Sequence, residues 1–385
     1  MQTQVDKQKL EFVYTILKEA GVTPDDLLKF YDIKQLFKLV LRAPLPEGLT
    51  KRALEMLIRL YYAAKKGAYS SEFEVVYSYI SWITKIPWNK FSQDIVDIDK
   101  VASELNKTHY GLQKVKERIL TYIASLRLRL EREQKENGLK VLRDIPVLLF
   151  VGLQGLGKTT IAKSIARALG RPFVKISLAA FGDISQLRGM PKSYPDAEPG
   201  VIVKALVQAQ VMNPVILLDE IDKVSSDEKV RNDVYSAFLE IFDPSQNKNF
   251  VDRYIDWPID LSYIFFIATA NTTGTLTAPV LDRMEIIRFS SYTDDEKIKI
   301  AKDYLLPKVL KRVGLKENEL IIDDDVWPEI VRPMGFDAGI RQLERILTNL
   351  ARKVAYQIMR KQTSSIRITR DNVKDYIVAD MGYVG

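Results

Sequence analysis

Gly152-Leu153-Gln154-Gly155-Leu156-Gly157-Lys158-Thr159 follows the spacing G-x-x-x-x-G-K-[ST], the pattern of a loop that cradles phosphate. Glycines let successive backbone N–H groups turn inward. Lys158 would reach the β- and γ-phosphates of ATP, and the Thr159 hydroxyl would offer an oxygen to Mg2+. Such a loop belongs between a strand and a helix, whose N-terminus turns its positive dipole end toward the anion. The flanks supply both. Residues 147–151 are a short apolar run, and Ile161, Ala162, Ile165, Ala166 and Leu169 recur at helical spacing until Gly170.

Three more groups of residues could act on the same phosphates. Val215-Ile216-Leu217-Leu218-Asp219-Glu220 is an apolar strand ending in two carboxylates, and ligands of α/β sheets bind at such strand ends. Asp219 would hold Mg2+ mainly through water, since hard cations take oxygen ligands. Glu220 would polarise the attacking water. A second buried run, 265–270, ends in Asn271, an amide able to orient water or touch the γ-phosphate. Arg283, in Leu281-Asp282-Arg283, either stabilises charge developing on the γ-phosphate or pairs with Asp282 on the surface; spacing leaves both open.

These residues need a parallel sheet to carry them, and the pattern provides one. Apolar runs at 147–151, 173–178, 215–218, 264–268 and 285–289 alternate with helical patterns, which predicts five parallel strands with right-handed crossovers. Residues 1–86 read as helices broken at Pro44, Pro46 and Gly48, and 89–99 as a polar linker. A long helix is expected over 111–136, with Gly138 beyond it. After Ser290 a separate helical unit is expected. It is opened by the capping box Thr293/Glu296 and striped by Ile298, Ala301, Tyr304 and Leu305, then by Ile340, Leu343, Ile346, Leu347 and Leu350. A last helix signal falls at 371–377. The expected fold is α/β with helical domains: an N-terminal helical region and linker (1–106), a nucleotide-binding α/β domain (107–290) and a helical lid (291–385).

Composition narrows the chemistry. The 385 residues contain no cysteine, which excludes disulfides, thiol catalysis and cysteine metal sites, and one histidine, His109, which argues against a multi-histidine metal site. No apolar run approaches the ~20 residues that span a bilayer, and the N-terminus lacks a signal-peptide core. A cytoplasmic protein is expected. The net charge of +7 permits contact with an acidic partner such as DNA, although a mildly basic surface explains it as well.

Taken together, the GKT loop, LLDEIDK, IATAN and VLDRMEIIR resemble the AAA+ module of the ATP-dependent Lon protease family. IPWNK at 86–90, HYGLQKVKERIL at 109–120, FLEIFDPSQN and GIRQLER extend the resemblance over some four-fifths of the chain. It implies an AAA+ P-loop NTPase fold with a five-stranded parallel sheet and a C-terminal helical lid. It implies nucleotide binding by residues Gly152 to Thr159 and by Thr160, with His109, Tyr110 and Gly111 bordering the adenine. Asp219 and Glu220 match Walker B, Asn271 matches sensor 1, Arg341 matches sensor 2, and Arg283 matches the finger presented to a neighbouring subunit. A homo-oligomeric ring, expected to be a hexamer, follows from the last assignment. Tyr194 matches the aromatic of the loop that grips polypeptide.

Two departures from the family bear on function. The loop reads Gly-Leu-Gln-Gly where relatives usually have Gly-Pro-Pro-Gly, at positions acting through backbone. The gripping loop reads Tyr194-Pro195-Asp196 where relatives have Tyr-Ile-Gly or similar, and 225–233 lacks an aromatic. No segment resembles the family's serine–lysine peptidase or its large N-terminal substrate-recognition domain, so proteolysis by this chain is not expected. The expectation is an ATP-hydrolysing unfoldase that threads unfolded or damaged protein toward a peptidase, fused downstream or separate. The alternative is a standalone nucleotide-switched remodelling or DNA-binding ATPase, marked by stimulation with DNA rather than unfolded protein.

Overall fold

The computed structural model describes residues 2–67, 71–132, 135–136, 139–179, 181–332, 340–360 and 363–377. Five helices lead the chain: α1 (Gln2–Glu19), α2 (Pro24–Leu28), α3 (Tyr31–Arg42), α4 (Glu47–Lys65) and α5 (Ser71–Lys85). Their ends are written in the sequence. Thr23 and Asp26 form a reciprocal capping box, with Pro24 set in the first turn of α2. Pro44 and Pro46 separate α3 from α4. Gly48 lies inside α4 rather than in the break, for a packing reason: a β-carbon there would stand 2.4 Å from the Trp257 ring.

The stretch after α5, expected to be a linker, is an anchored strap. Asp94 and Arg171 form an ion pair at 2.5 Å, each side chain 1% exposed. Asp94 also accepts from the Leu142 amide, and the Asn213 side chain accepts from the Ser92 amide. The polarity was visible in sequence; its partners lie up to 121 residues away. Asp97 then caps α6 (Ile98–Thr108), which precedes α7 (Gln113–Arg132). The helix expected to reach 136 stops at Arg132. Lys135–Glu136 (β1) instead pairs antiparallel with Leu139–Lys140 (β2); in the sequence these pairs flank Asn137-Gly138, a dipeptide that favours hairpins. Gly138 itself lies outside the described residues.

The centre of the molecule runs β3 (Val147–Val151), α8 (Lys158–Ala168), β4 (Phe173–Ser177), α9 (Ser185–Arg188), α10 (Val201–Ala209), β5 (Val215–Asp219), α11 (Glu228–Phe242), a small antiparallel pair β6 (Phe250–Val251) and β7 (Pro258–Ile259), β8 (Phe265–Ala270), α12 (Ala278–Leu281) and β9 (Met284–Arg288). Five strands form one sheet in the order β4-β5-β8-β3-β9, every pair parallel. Both faces are covered, which is why the strands read as continuous apolar runs. Alternate residues enter different cores. Leu149, Val151, Ile216 and Leu218 join a core shared with the N-terminal helices. Leu148, Phe150, Val215 and Leu217 join a core shared with α6, α7 and the C-terminal helices.

The C-terminal unit begins with α13 (Asp294–Ile300), capped by Thr293 and Glu296 as expected. It continues through a π-helical turn, Ala301–Leu305, into α14 (Leu306–Val313). Pro307 explains the wide turn: it has no N–H to donate and its ring pushes on the preceding turn, so the Leu306 amide reaches back five residues to the Ala301 carbonyl. Then come β10 (Leu320–Ile322), α15 (Trp327–Val331), α16 (Arg341–Met359), β11 (Ile366–Ile368) and α17 (Val373–Ile377). β10 and β11 pair in parallel, a small sheet absent from the all-helical expectation. Among the described residues no helix is long and apolar enough to cross a membrane.

Candidate nucleotide site

The ends of β3, β5 and β8 open into a cavity of about 510 Å3, closed on its far side by the C-terminal unit. The glycine loop forms its floor. Its first residue is tied to β8 by a 3.1 Å bond from the Gly152 amide to the Ala270 carbonyl. Gly157 caps α8 at φ 87, a left-handed conformation that glycine adopts without penalty, and a β-carbon there would stand 3.1 Å from the His109 ring. The close approach of loop and ring therefore needs glycine. Lys158 is 9% exposed, and its ammonium donates to the Gly152 carbonyl, to the Leu153 carbonyl at 2.9 Å and to Asn271 Oδ1 at 3.4 Å. Burial pulls its pKa below the ordinary lysine value, while Asp222 and Asp219 oppose that pull.

The carboxylates at the end of β5 are set by their neighbours. Asp219 takes a hydrogen bond from Thr269 Oγ1 at 2.6 Å and an ion pair from Lys175 at 2.5 Å. Burial works to raise its pKa, but the bonds from Lys175 and Thr269 outweigh burial and hold it below the usual carboxylate range. Asp219 is thus an anion at neutral pH, as a ligand for a hard cation must be. Glu220 has φ 59 and ψ 52, uncommon for a residue with a side chain. Its amide donates to Thr269 Oγ1 at 3.0 Å, and its carboxylate accepts from Gln154 at 3.2 Å and Lys223 at 2.9 Å. The Asn271 amide is fixed by Asp222 Oδ2 at 3.0 Å.

His109 and Tyr110 form one wall. His109 is 7% exposed and stands between two hydroxyls, Thr108 Oγ1 at 2.8 Å from Nδ1 and Thr160 Oγ1 at 2.7 Å from Nε2. Each hydroxyl also has a carbonyl within reach, Glu104 and Gly157, an arrangement that would suit a doubly protonated ring. Burial, helped by the ammonium of Lys116 on the His109 carbonyl, prevails and pushes the ring down to about 4. The ring is neutral at pH 7. Gly111 does not line the cavity; it abuts Glu296 of the α13 cap, where a β-carbon would stand 2.5 Å from the carboxylate.

The C-terminal unit supplies the roof. The Ile340 amide donates to the Gly155 carbonyl at 3.2 Å, and Tyr292 OH to the Leu156 carbonyl at 3.3 Å. Arg341, the first residue of α16, faces the cavity with Glu344, and Ile300, Tyr304 and Leu305 close the apolar side. Gly339 of the same motif lies outside the described residues.

The cavity therefore gathers His109, Tyr110, residues 154–160, Asp219, Glu220, Asn271 and Arg341, with Gly152 and Leu153 supplying carbonyls to Lys158. Besides Gly111, two expected residues lie elsewhere. Arg283 does not line it; its guanidinium donates to the Pro279 carbonyl at 3.0 Å and pairs with Asp243 at 3.1 Å, so its ionic partner is Asp243 and not Asp282. Tyr194 stands 58% exposed on a turn between α9 and α10. Two residues on, Asp196 has φ 55, a left-handed conformation that aspartate tolerates better than most residues. Sequence reasoning missed Lys175, Thr269, Tyr292, Tyr304 and Glu344. Tyr304 could have been found from its i, i+4 spacing to Ile300, and Glu344 from its place one turn after Arg341.

Residues 148–292 match the family described as ATPase family associated with various cellular activities (AAA), and residues 311–366 match the Lon protease AAA+ ATPase lid domain. The chain is 41% identical over 381 residues to a Lon protease of Mycoplasma mycoides subsp. mycoides, covering 98% of this chain and 46% of that protein. It is 40% identical over 375 residues to Lon protease 1 of Bacillus subtilis, covering 97% and 46%. It is 43% identical over 309 residues to Lon protease 2 of Thermus thermophilus, covering 80% and 38%. The chain spans less than half the length of these relatives.

Proposed function

Because the chain carries the AAA+ ATPase module of the Lon protease family, which binds nucleotide together with a metal ion, we propose that it hydrolyses Mg-ATP in a ring of like subunits and uses the cycle to pull unfolded polypeptide toward a peptidase in the cytoplasm. The observation that carries this reading is the meeting of Lys158, Asp219, Glu220, Asn271 and Arg341 in one cavity.

Each residue has a task that its surroundings support. The glycine loop wraps the phosphates with backbone N–H groups, and Lys158 releases its carbonyl partners to bind the β- and γ-oxygens. Thr159 and Asp219 would hold Mg2+, which neutralises phosphate charge; the depressed pKa of Asp219 suits that duty. Glu220 polarises the attacking water, and Asn271 orients that water. His109 and Tyr110 border the adenine. Arg341 reports the γ-phosphate to the lid, and Arg283 serves the cavity of the adjoining subunit. The parts are 1–106, a helical region; 107–290, the nucleotide domain; and 291–385, the lid. Tyr194 touches the polypeptide.

Glu220→Gln tests the chemistry. Nucleotide affinity should be retained and turnover should fall roughly 100-fold or more; near-normal turnover would remove Glu220 from its role. Casein should stimulate hydrolysis. Stimulation by DNA instead, with affinity falling steeply in salt, would favour the remodelling alternative.

A further inference from the structure

The loop that carries Tyr194 closes on two glycines. A β-carbon on Gly200 would stand 2.1 Å from the Leu187 carbonyl oxygen and 2.8 Å from the Gly189 nitrogen, so the legs touch backbone to backbone. Above that point the Met190 amide donates to the Glu198 carbonyl at 3.1 Å. Beneath it lies Asp252, fully buried. Its Oδ2 accepts from the Gly200 amide at 2.7 Å, and its Oδ1 from the amides of Tyr254 at 2.9 Å and Ile255 at 3.0 Å. Gly189, at φ 77, leaves room for this carboxylate; a β-carbon there would stand 2.6 Å from it. A buried carboxylate is costly unless its oxygens are satisfied, and here backbone N–H groups do that work.

The residues just after Asp252 face the N-terminal helices. Tyr254 OH meets Ser78 Oγ at 2.9 Å, and Tyr79 OH donates to the Ile255 carbonyl at 3.0 Å. Arg52 donates to the Asp256 carbonyl at 2.6 Å and to its carboxylate at 2.9 Å. Trp257 packs on Gly48. Residues 252–257 are therefore held on one side by the base of the Tyr194 loop and on the other by α4 and α5. Lys192, inside the loop, closes the circuit by lying 4.1 Å above the Tyr79 ring.

We propose that Asp252 is a positioning residue that sets the stance of the Tyr194 loop and, through residues 254–257, makes that loop and helices α4 and α5 move as one body. Asp252 touches neither nucleotide nor polypeptide and acts through the Gly200 amide. Its consequence for polypeptide handling rests on the reading of Tyr194 given above.

Asp252→Asn keeps the shape but turns an amide NH2 toward N–H groups that need an acceptor. Hydrogen exchange on the full chain with Mg-ATP should show the amides of Gly200, Tyr254 and Ile255 exchanging about tenfold faster, with the β3 amides unchanged. Basal hydrolysis should stay within about twofold, while the KM for casein stimulation rises about fivefold or more. Tyr194→Ala, run beside it, tests the polypeptide reading alone: if it leaves casein stimulation intact, that reading falls and the exchange data still decide the role of Asp252. Wild-type exchange at Gly200 in Asp252→Asn overturns the proposal. Should that variant fail to fold, Arg52→Ala cuts the same bridge from its exposed side. Faster exchange at Ile255 and across 190–199 supports the single body, and unchanged exchange there overturns it.

Discussion

Thr269 is the side chain on which both carboxylates at the end of β5 depend. Its hydroxyl donates to Asp219 and accepts from the Glu220 amide, holding Glu220 in a left-handed conformation that costs roughly 1–2 kcal/mol. Thr269→Val keeps the branched shape and removes both bonds. Turnover should fall about tenfold or more with a smaller change in nucleotide affinity, as for other residues that orient a metal ligand; steady-state kinetics and a binding titration separate the two. Thr269 was hidden from sequence reasoning because its partner sits 50 residues away on the adjacent strand. Lys158 was legible from the glycine spacing of its loop, and Asp219 and Asn271 because each follows or closes an apolar run. His109 gives a second expectation. Its folded pKa of about 4 lies below the unfolded value of 6.5, so between those limits the unfolded chain binds the extra proton and stability falls as pH falls. The loss through this one residue is on the order of 3 kcal/mol. His109→Gln cannot titrate, so its melting temperature should decline less than wild type from pH 6.5 to 4.

At the scale of elements, the strap at 89–97 joins regions that share no motif. Asp94→Ala leaves Arg171 buried without its ionic partner, which should destabilise the protein by about 3–5 kcal/mol, measured by denaturant unfolding. Replacing both partners with apolar residues of similar volume should recover much of that loss. The strands were legible because a doubly covered sheet makes uninterrupted apolar runs. The strap was not, since its stability comes from pairings far apart in sequence. The end of α7 was readable in hindsight, because an Asn-Gly pair competes with continued helix. The π-turn follows from Pro307, and it swings Tyr304 and Leu305 against the nucleotide cavity. Pro307→Ala restores the missing N–H and should let the turn tighten toward ordinary helix. The fold should survive by circular dichroism, while nucleotide affinity changes because that wall has moved.

At the scale of the molecule, one sheet divides two cores, the N-terminal helices resting on one face and the lid sharing the other. Nucleotide bound in the cavity would bridge a floor from the α/β domain and a roof from the lid, so a hundredfold excess over Kd should add about 2.7 kcal/mol of stability. Lid amides in α16 should gain protection with it, and Arg341→Ala should weaken that gain. Subunit mixing tests the placement of Arg283 outside its own cavity. Arg283→Ala and Lys158→Ala chains should each be inactive alone. Mixed equally in a closed ring, they should regain about a quarter of the sites, those pairing an intact loop with an intact arginine. No recovery would argue against a shared site.

On the proposal that Arg283 serves an adjoining chain, hydrolysis becomes a matter of concentration. A solitary chain would then hold its nucleotide but lack the cation that completes the site, and activity per chain should collapse on dilution. A freshly made chain, or one shed from its neighbours, would idle with nucleotide bound until it met its own kind.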